Sequence, residues 1–382
     1  MKLKRKLMAS FPHAYYWKTG VAALAFTLAS YGANAGEAAK KPAAAKLAPA
    51  PAAAPPAPPP APMGVFGADM PAPGRFTLAA SAGFANFSGQ RIGSQGVSSA
   101  FVAATTPYLF NPTQTLRLVP QNIAVAVQQL GMAYGVAKDF AIVITANMVE
   151  RNLDMLTFKG LTRSINPLGM SYTGTAGFGD LMAAGIYRLY QDDVHRIQIN
   201  LGMSFPTGSN RQIFTLLQPD ASYVTSRAFY GLQPGTGTYD IMPGVVYAGH
   251  LDAWSWGLSY RGRLPLGANP EGYRWGDYHE FNAWGGYNLL PGLTTTIRAQ
   301  ASLMGTIRGL DWQIRGRAPA ANPNFYGGQR VEIFGGATIG GKIVGLDNMS
   351  LAVEAGLPVY QNLNGPQIMK DWQAAVSVRL KI

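Results

Sequence analysis

From Gly74 onward, apolar and polar positions alternate in short segments separated by Gly, Pro, Asn and Asp. Side chains of a strand point to opposite faces in turn, so such a segment has one apolar face and one polar face. The clearest example is the stretch from Gly179 to Ser209. Ile197, Ile199, Leu201, Met203 and Phe205 share one face, while Gln198, Asn200, Gly202 and Ser204 share the other. Trp254, Trp256, Leu258 and Tyr260 repeat the pattern against Ser255, Gly257, Ser259, Arg261 and Arg263. Trp372, Ala374, Val376, Val378, Leu380 and Ile382 repeat it again. Near 121–136 the alternation changes phase: Ile123, Val125 and Val127 have one parity, Leu130, Met132 and Tyr134 the other. A β-bulge at Gln128-Gln129 would account for that. The segments number about twelve, between ten and fourteen. Short turns at 137–140, 191–195, 250–253, 290–293 and 344–348 interleave with longer loops at 89–120, 159–178, 207–238 and 306–328.

The apolar faces meet either one another, as in a soluble sandwich, or lipid. Charge recurs on the opposite face, at Arg188, Arg261, Arg263, Glu280, Arg298, Glu332, Glu354 and Arg379. Aromatic residues gather near strand ends, at Tyr187, Tyr190, Trp254, Trp256, Tyr278, Tyr287, Tyr360 and Trp372, as interfacial girdles require. A sheet in hydrocarbon satisfies its backbone only by closing on itself. The expected fold is therefore all-β: a transmembrane antiparallel up-and-down β-barrel over 74–382, with short periplasmic turns and longer extracellular loops, in the bacterial outer membrane.

Composition agrees with that choice. Charged residues are 13% of the 382, Gly contributes 45 and aromatics 11%. No apolar run reaches the ~18–20 residues of a spanning helix. Cys is absent, which removes disulfides, thiol chemistry and a lipoprotein anchor. Residues 1–35 read as a secretory signal: a basic start, the apolar run Val21–Ala29, then Ala33-Asn34-Ala35 as a cleavage site. Removing Lys2, Lys4, Arg5, Lys6 and Lys18 with it lowers the formal net charge from +12 to +7. The remaining cations are dispersed along strands, so no nucleic-acid partner is expected. Residues 36–73 are Ala/Pro-rich and read as a disordered periplasmic tether, whose Lys40, Lys41 and Lys46 could meet a periplasmic partner or the cell wall.

Several pieces together resemble the outer-membrane family of phenol-degradation meta-pathway transporters. They are Gly179-Asp180, Tyr187-Arg188-Leu189, Phe205-Pro206-Thr207-Gly208-Ser209, Gly235-Thr236-Gly237-Thr238-Tyr239-Asp240 and Gly356-Leu357-Pro358-Val359-Tyr360. The resemblance runs from about Gly131 onward. It implies a barrel of about this strand number and a role in moving small hydrophobic or aromatic compounds. Met/His-rich segments of the kind that suggest metal-linked roles in such relatives are missing from 75–120.

The candidate site is lumenal. Arg188, Arg261, Arg263, Arg298 and Arg379 stand against Asp240, Glu280, Glu332 and Glu354, either as a constriction that selects solutes or as mutually paired charges filling a narrow lumen. Phe214, Leu217, Tyr223, Phe229 and Tyr230 make the 207–238 loop apolar, as an inward constriction or a self-packed cap. Gly235-Thr236-Gly237 lacks the Lys-Ser/Thr of a phosphate loop. His195 and His250 fall in turns, and His279 lies near Glu280 with no Ser beside it. Catalysis, a metal and a cofactor are not expected. The leading expectation is a monomeric outer-membrane channel whose partners are membrane lipid and a small hydrophobic or aromatic solute. A lipid hydrolase and a structural or adhesive barrel without transport are the alternatives.

Overall fold

The computed structural model describes residues 59–382. The secretory signal and most of the Ala/Pro-rich tether lie outside the described residues.

The wall elements are β1 (Phe76–Gly93), β2 (Leu118–Ala137), β3 (Phe140–Phe158), β4 (Pro167–Phe178), β5 (Leu181–Gln191), β6 (His195–Phe205), β7 (Asp240–Leu251), β8 (Trp254–Pro265), β9 (Tyr278–Leu290), β10 (Leu293–Met304), β11 (Gly328–Gly340) and β12 (Met349–Lys381). Each pairs antiparallel with its neighbours, and β12 returns to β1 to close the ring. β4 and β5 follow each other along β3, pairing with its two halves, so they occupy one place in the wall. That leaves an odd ring, which antiparallel pairing forbids. The parity is restored within β12. Its 33 residues would extend roughly 110 Å at about 3.3 Å per residue, far more than a bilayer spans. Ser350–Leu363 pairs with β11 and Leu363–Lys381 with β1, so the element doubles back on itself. The Gln361 side chain ties the two arms, donating to the Lys370 carbonyl (2.9 Å) and accepting from the Lys370 amide (3.0 Å). The barrel therefore has twelve staves.

Polarity is inverted relative to a soluble protein. Leu130, Leu201, Leu258 and Ile297 are 60%, 59%, 57% and 63% exposed on the outside. Gln198, Asp240 and Glu332 on the alternating face are 0%, 0% and 1% exposed. Only an apolar solvent around the barrel makes this distribution favourable, because burial of the polar face is repaid by pairing and the apolar face gains nothing from water. β5 to β8 and β10 are 11 or 12 residues long, enough to cross the hydrocarbon core. This is an outer-membrane β-barrel.

Three expectations need correction. β1 and β2 pair without interruption from Phe76↔Tyr134 to Ser88↔Asn122, so there is no bulge at Gln128-Gln129. The phase change reflects a change of apolar partner instead. Leu130, Met132 and Tyr134 face lipid, whereas Ile123 turns inward and packs under the loops. The expected loop at 159–178 is mostly β4, which stands as an extension of β3. It is hydrogen-bonded to β3 but not to β6, and it also meets the Ile213–Leu217 strand, where the Leu217 amide donates to Ser171. Tyr278 is not a girdle residue: it sits on the inner face, donating to Glu280 (2.8 Å).

The long loops build a cap with two apolar cores. One gathers Phe214, Phe229, Tyr230, Tyr273, Ile307 and Ile314 with Leu153 and Met155 of β3. The other gathers Val102 and Ala103 of α1 (Ser99–Thr105) with Tyr108, Leu116 and Phe158.

Candidate functional site

Residues 59–70, assigned to the tether by composition, are ordered inside the barrel. Ala61, Val65 and Ala68 are buried against Val246 and Trp284, which point inward from β7 and β9. Arg196 Nη2 donates to the Ala68 carbonyl (2.6 Å). The Gln198 amide, oriented to satisfy both of its atoms, donates to the carbonyls of Ala68 (2.9 Å) and Gly67 (3.0 Å). Asp69 pairs with Arg379 (2.7 Å). Gly64 lies so close to the Arg298–Glu354 pair that a Cβ there would collide with both side chains. A Pro/Ala/Gly chain cannot build its own core, but its unpaired carbonyls and small side chains suit a lumen already lined with donors. Pro59, the first described residue, lines a small cleft with Gln191, Asp192, His195 and His250 of the short turns. It leaves at the same end, where Gly74 donates to the Gly135 carbonyl (2.8 Å) before β1 starts.

The nine candidate charges all reach partners, which sit on adjacent or next-adjacent wall strands, at the rim for Arg188, or, for Arg379, on the inserted segment at Asp69. Arg298 holds Glu354 through two bonds (2.9 and 2.7 Å) and also donates to Asn282 (2.6 Å) and Gln300 (2.7 Å). Its guanidinium lies 3.9 Å from the centre of the Phe334 ring. Arg261 pairs with Glu280 (2.9 Å), Arg263 with Asp240 (2.5 Å) and Arg188 with Asp139 (3.5 Å). Glu332 is held by Lys370 (3.1 Å). The charges hug the wall and leave the axis to residues 59–70.

Sequence reasoning missed Asp69, Asp139, Asp180 and Lys370, the partners of four of these charges. Asp180 was visible as part of Gly179-Asp180, but its role was not. It accepts from the Gly208 amide (3.1 Å), from the Thr236 amide and hydroxyl (3.0 and 2.7 Å), and from Arg263 (3.3 Å). Gly179, Gly208 and Gly235 meet backbone to backbone, too close for a side chain on Gly208 or Gly235. Three separate motifs of the resemblance thus converge on one crossing, where β4 leaves the wall above β5.

Of the loop candidates, Phe214, Phe229 and Tyr230 share the larger cap core, with Phe214 and Phe229 edge to face at 4.9 Å. Leu217 is buried beside Ser171 of β4, whose hydroxyl accepts from its amide (2.8 Å). Tyr223 departs from the group: it is 65% exposed on the outer side of the Ile213–Leu217/Tyr223–Arg227 hairpin. Tyr230 stacks edge to face on Tyr273 (4.7 Å) and Tyr326 (5.8 Å), and its hydroxyl accepts from the Asp311 amide (3.0 Å). Burial pushes the Tyr230 phenol up to about 12, so it stays neutral. Phe229→Ala should cost the cap about 3–5 kcal/mol. The expected readout is faster amide hydrogen exchange across Ile213–Leu217, with the wall unchanged.

Among the described residues, the histidines do not assemble a catalytic group. His279 sits on the outer face, its Nδ1 3.0 Å from the Tyr260 hydroxyl, and His195 makes the same arrangement with Tyr247 (3.0 Å). At the β5–β6 turn, the Tyr190 hydroxyl and the amides of His195 and Val194 hold the Asp192 carboxyl down to about 2, from an ordinary 3.8. Because the folded value is the lower one, its contribution is complete above the unfolded pKa and disappears as pH falls through about 2. A carboxyl titration by NMR should place Asp192 there, and Tyr190→Phe should raise it.

No family model and no curated protein matches the chain. Solved structures do. An outer-membrane channel from Pseudomonas putida F1 aligns with a TM-score of 0.53 at 13% identity, over 82% of this chain and 98% of that one. The translocator domain of the autotransporter NalP from Neisseria meningitidis aligns at 0.41 with 8% identity, over 80% and 88%. The toluene transporter TodX from Pseudomonas putida aligns at 0.40 with 9% identity, over 81% and 90%. The first establishes the barrel architecture. The resemblance to the phenol-degradation family is not confirmed by any of them.

Proposed function

We propose that the chain is an outer-membrane channel for small hydrophobic or aromatic solutes, closed at rest by residues 59–70. The observation that carries this reading is the change of lining along the interior. Toward the extracellular end it is aliphatic and aromatic, with Tyr230, Phe229, Tyr273 and the half-buried Trp275 and Tyr326 around one core. Below, it is a set of wall-bound ion pairs with residues 59–70 packed inside them. A solute of low polarity partitions into the first region, where it replaces side-chain contacts without stripping water from a charge. The lumenal charges take the role of a filter only after the segment withdraws. The structure of similar architecture described as an outer-membrane channel is in keeping with this reading.

A second reading, a barrel that transports nothing, is favoured by the occupied lumen. Vesicle assays separate the two. The channel reading expects labelled toluene or phenol to cross vesicles carrying the protein faster than bare vesicles, and deletion of 212–230 to change that rate. Equal rates with and without protein would leave the structural barrel as the better account.

A further inference from the structure

Three extracellular loops bring cations together without acids to match them. The strip Gln114–Leu118 is the centre. On one side the amides of Arg117 and Leu118 both donate to the Arg317 carbonyl (2.8 and 2.9 Å), and Arg317 Nε donates to Gln114 (3.2 Å). On the other side the Thr115 amide donates to the Leu161 carbonyl (3.2 Å), and its hydroxyl accepts from the Arg163 amide (3.1 Å). Lys159, Arg163, Arg315 and Arg317 therefore surround one strip, the first three of them exposed. Among the described residues, none of these four has a carboxylate within salt-bridge distance. Asp220 is the acid whose carboxyl senses Arg317, through space and weakly. Beneath them Arg117 is fully buried, bonded to the Thr115 hydroxyl (3.0 Å) and the carbonyls of Ala103 and Ser164, with no acid in its hydrogen-bond set.

The guanidiniums are also held in place. Arg315 lies over the Phe110 ring (4.9 Å) and near Trp312 (6.0 Å), and Arg317 lies over Tyr108 (5.4 Å). The Tyr108 hydroxyl donates to the Arg315 carbonyl (2.7 Å), which fixes the loop against the strip. Aromatic contact orients an Arg while leaving its N–H fork free for a planar or tetrahedral oxyanion. Trp312, 67% exposed, offers a flat apolar face beside that fork. Unpaired cations repel one another, at a cost an anionic ligand would remove.

We propose that this face binds a phosphorylated glycolipid of the outer leaflet, with Arg315 and Arg317 on its phosphates and Trp312 against a sugar ring. The choice of occupant follows from charge and place. The loops lie on the long-loop side of the barrel, where anionic lipid surrounds the wall, and phosphate with an adjoining sugar matches a guanidinium fork with an adjoining indole. The proposal rests on the membrane placement of the barrel and not on transport.

The test uses the full chain in nanodiscs with three probes: bisphosphorylated lipid A, the same lipid without its phosphates, and inorganic phosphate alone. The expected result is binding of the bisphosphorylated lipid and loss of at least about tenfold in affinity for Arg315→Gln/Arg317→Gln. Trp312→Ala is expected to weaken the glycolipid and leave any residual response to inorganic phosphate unchanged. Affinity should fall as salt rises. Equal binding of the dephosphorylated lipid would overturn the proposal, as would an unaffected double variant whose heat-modifiable gel mobility matches the parent. Binding of inorganic phosphate as tight as that of the glycolipid would overturn the lipid assignment.

Discussion

Deleting residues 59–70 should convert a silent barrel into an ion-conducting one. In planar bilayers the parent is expected to show almost no conductance, since the axis is occupied and the surrounding charges are neutralised by their neighbours on the wall. The deletion removes the occupant and leaves every wall-to-wall pair in place, but it frees Arg379 from Asp69. Arg196 and Gln198 lose the carbonyls they donate to, become available to water, and face the new path. The conductance should respond to salt and to Arg196→Gln, because an uncompensated lumenal cation then stands beside the path. Gly64→Trp is an independent version of the experiment. An indole cannot share space with the Arg298 guanidinium and the Glu354 carboxylate, so the segment must move out or the pair must break. Both variants remaining as silent as the parent, with the barrel folded, would mean that the wall itself seals the lumen and that residues 59–70 do not close it.

Removing one member of the Arg298–Glu354 pair should be the most destabilising single change in the wall. The two side chains are 3% and 6% exposed. Arg298→Ala leaves Glu354 charged and buried with its two strongest donors gone, and leaves Asn282 and Gln300 short of a donor. Breaking a buried pair on one side costs about 3–5 kcal/mol. The Arg298→Met/Glu354→Leu double variant should recover most of that, because no isolated charge remains. Urea midpoints for unfolding from lipid vesicles, followed by tryptophan emission, compare the three proteins. A single variant as stable as the parent would show that water reaches the pair and that the lumen here is wetter than its burial implies.

Much of the wall was legible because lipid imposes a simple rule. Each stave must carry an apolar residue at every second position on one face, and Ile197–Phe205 or Trp254–Tyr260 announce themselves that way. The rule fails where the solvent changes. Ile123 obeys the cap, not the bilayer, so the parity it shares with Val125 and Val127 mimics a bulge. β4 stands outside the rule, so its sequence predicts a loop. The lumenal charges were legible as residues but not as pairs, since Lys370 and Asp69 lie far from Glu332 and Arg379 in the chain. Only the returning arm of β12 and the inward turn of 59–70 bring them together. That inward turn had no signal of its own. Pro, Ala and Gly describe a chain that cannot fold alone, and composition is silent about whether a cavity elsewhere will receive it. The convergence of Gly179, Gly208 and Gly235 was likewise invisible, although each glycine was noted in a separate motif.

The path of residues 59–70 has a mechanical consequence. Pro59 lies beside the β5–β6 turn and Gly74 beside the β2–β3 turn, so the described segment starts and finishes at one mouth. It is a loop laid into a tube, not a thread drawn through it. Withdrawing such a loop through the mouth it occupies would leave every hydrogen bond between staves intact. It can also slide back without finding the far opening. A stopper with both ends on the same side is reusable.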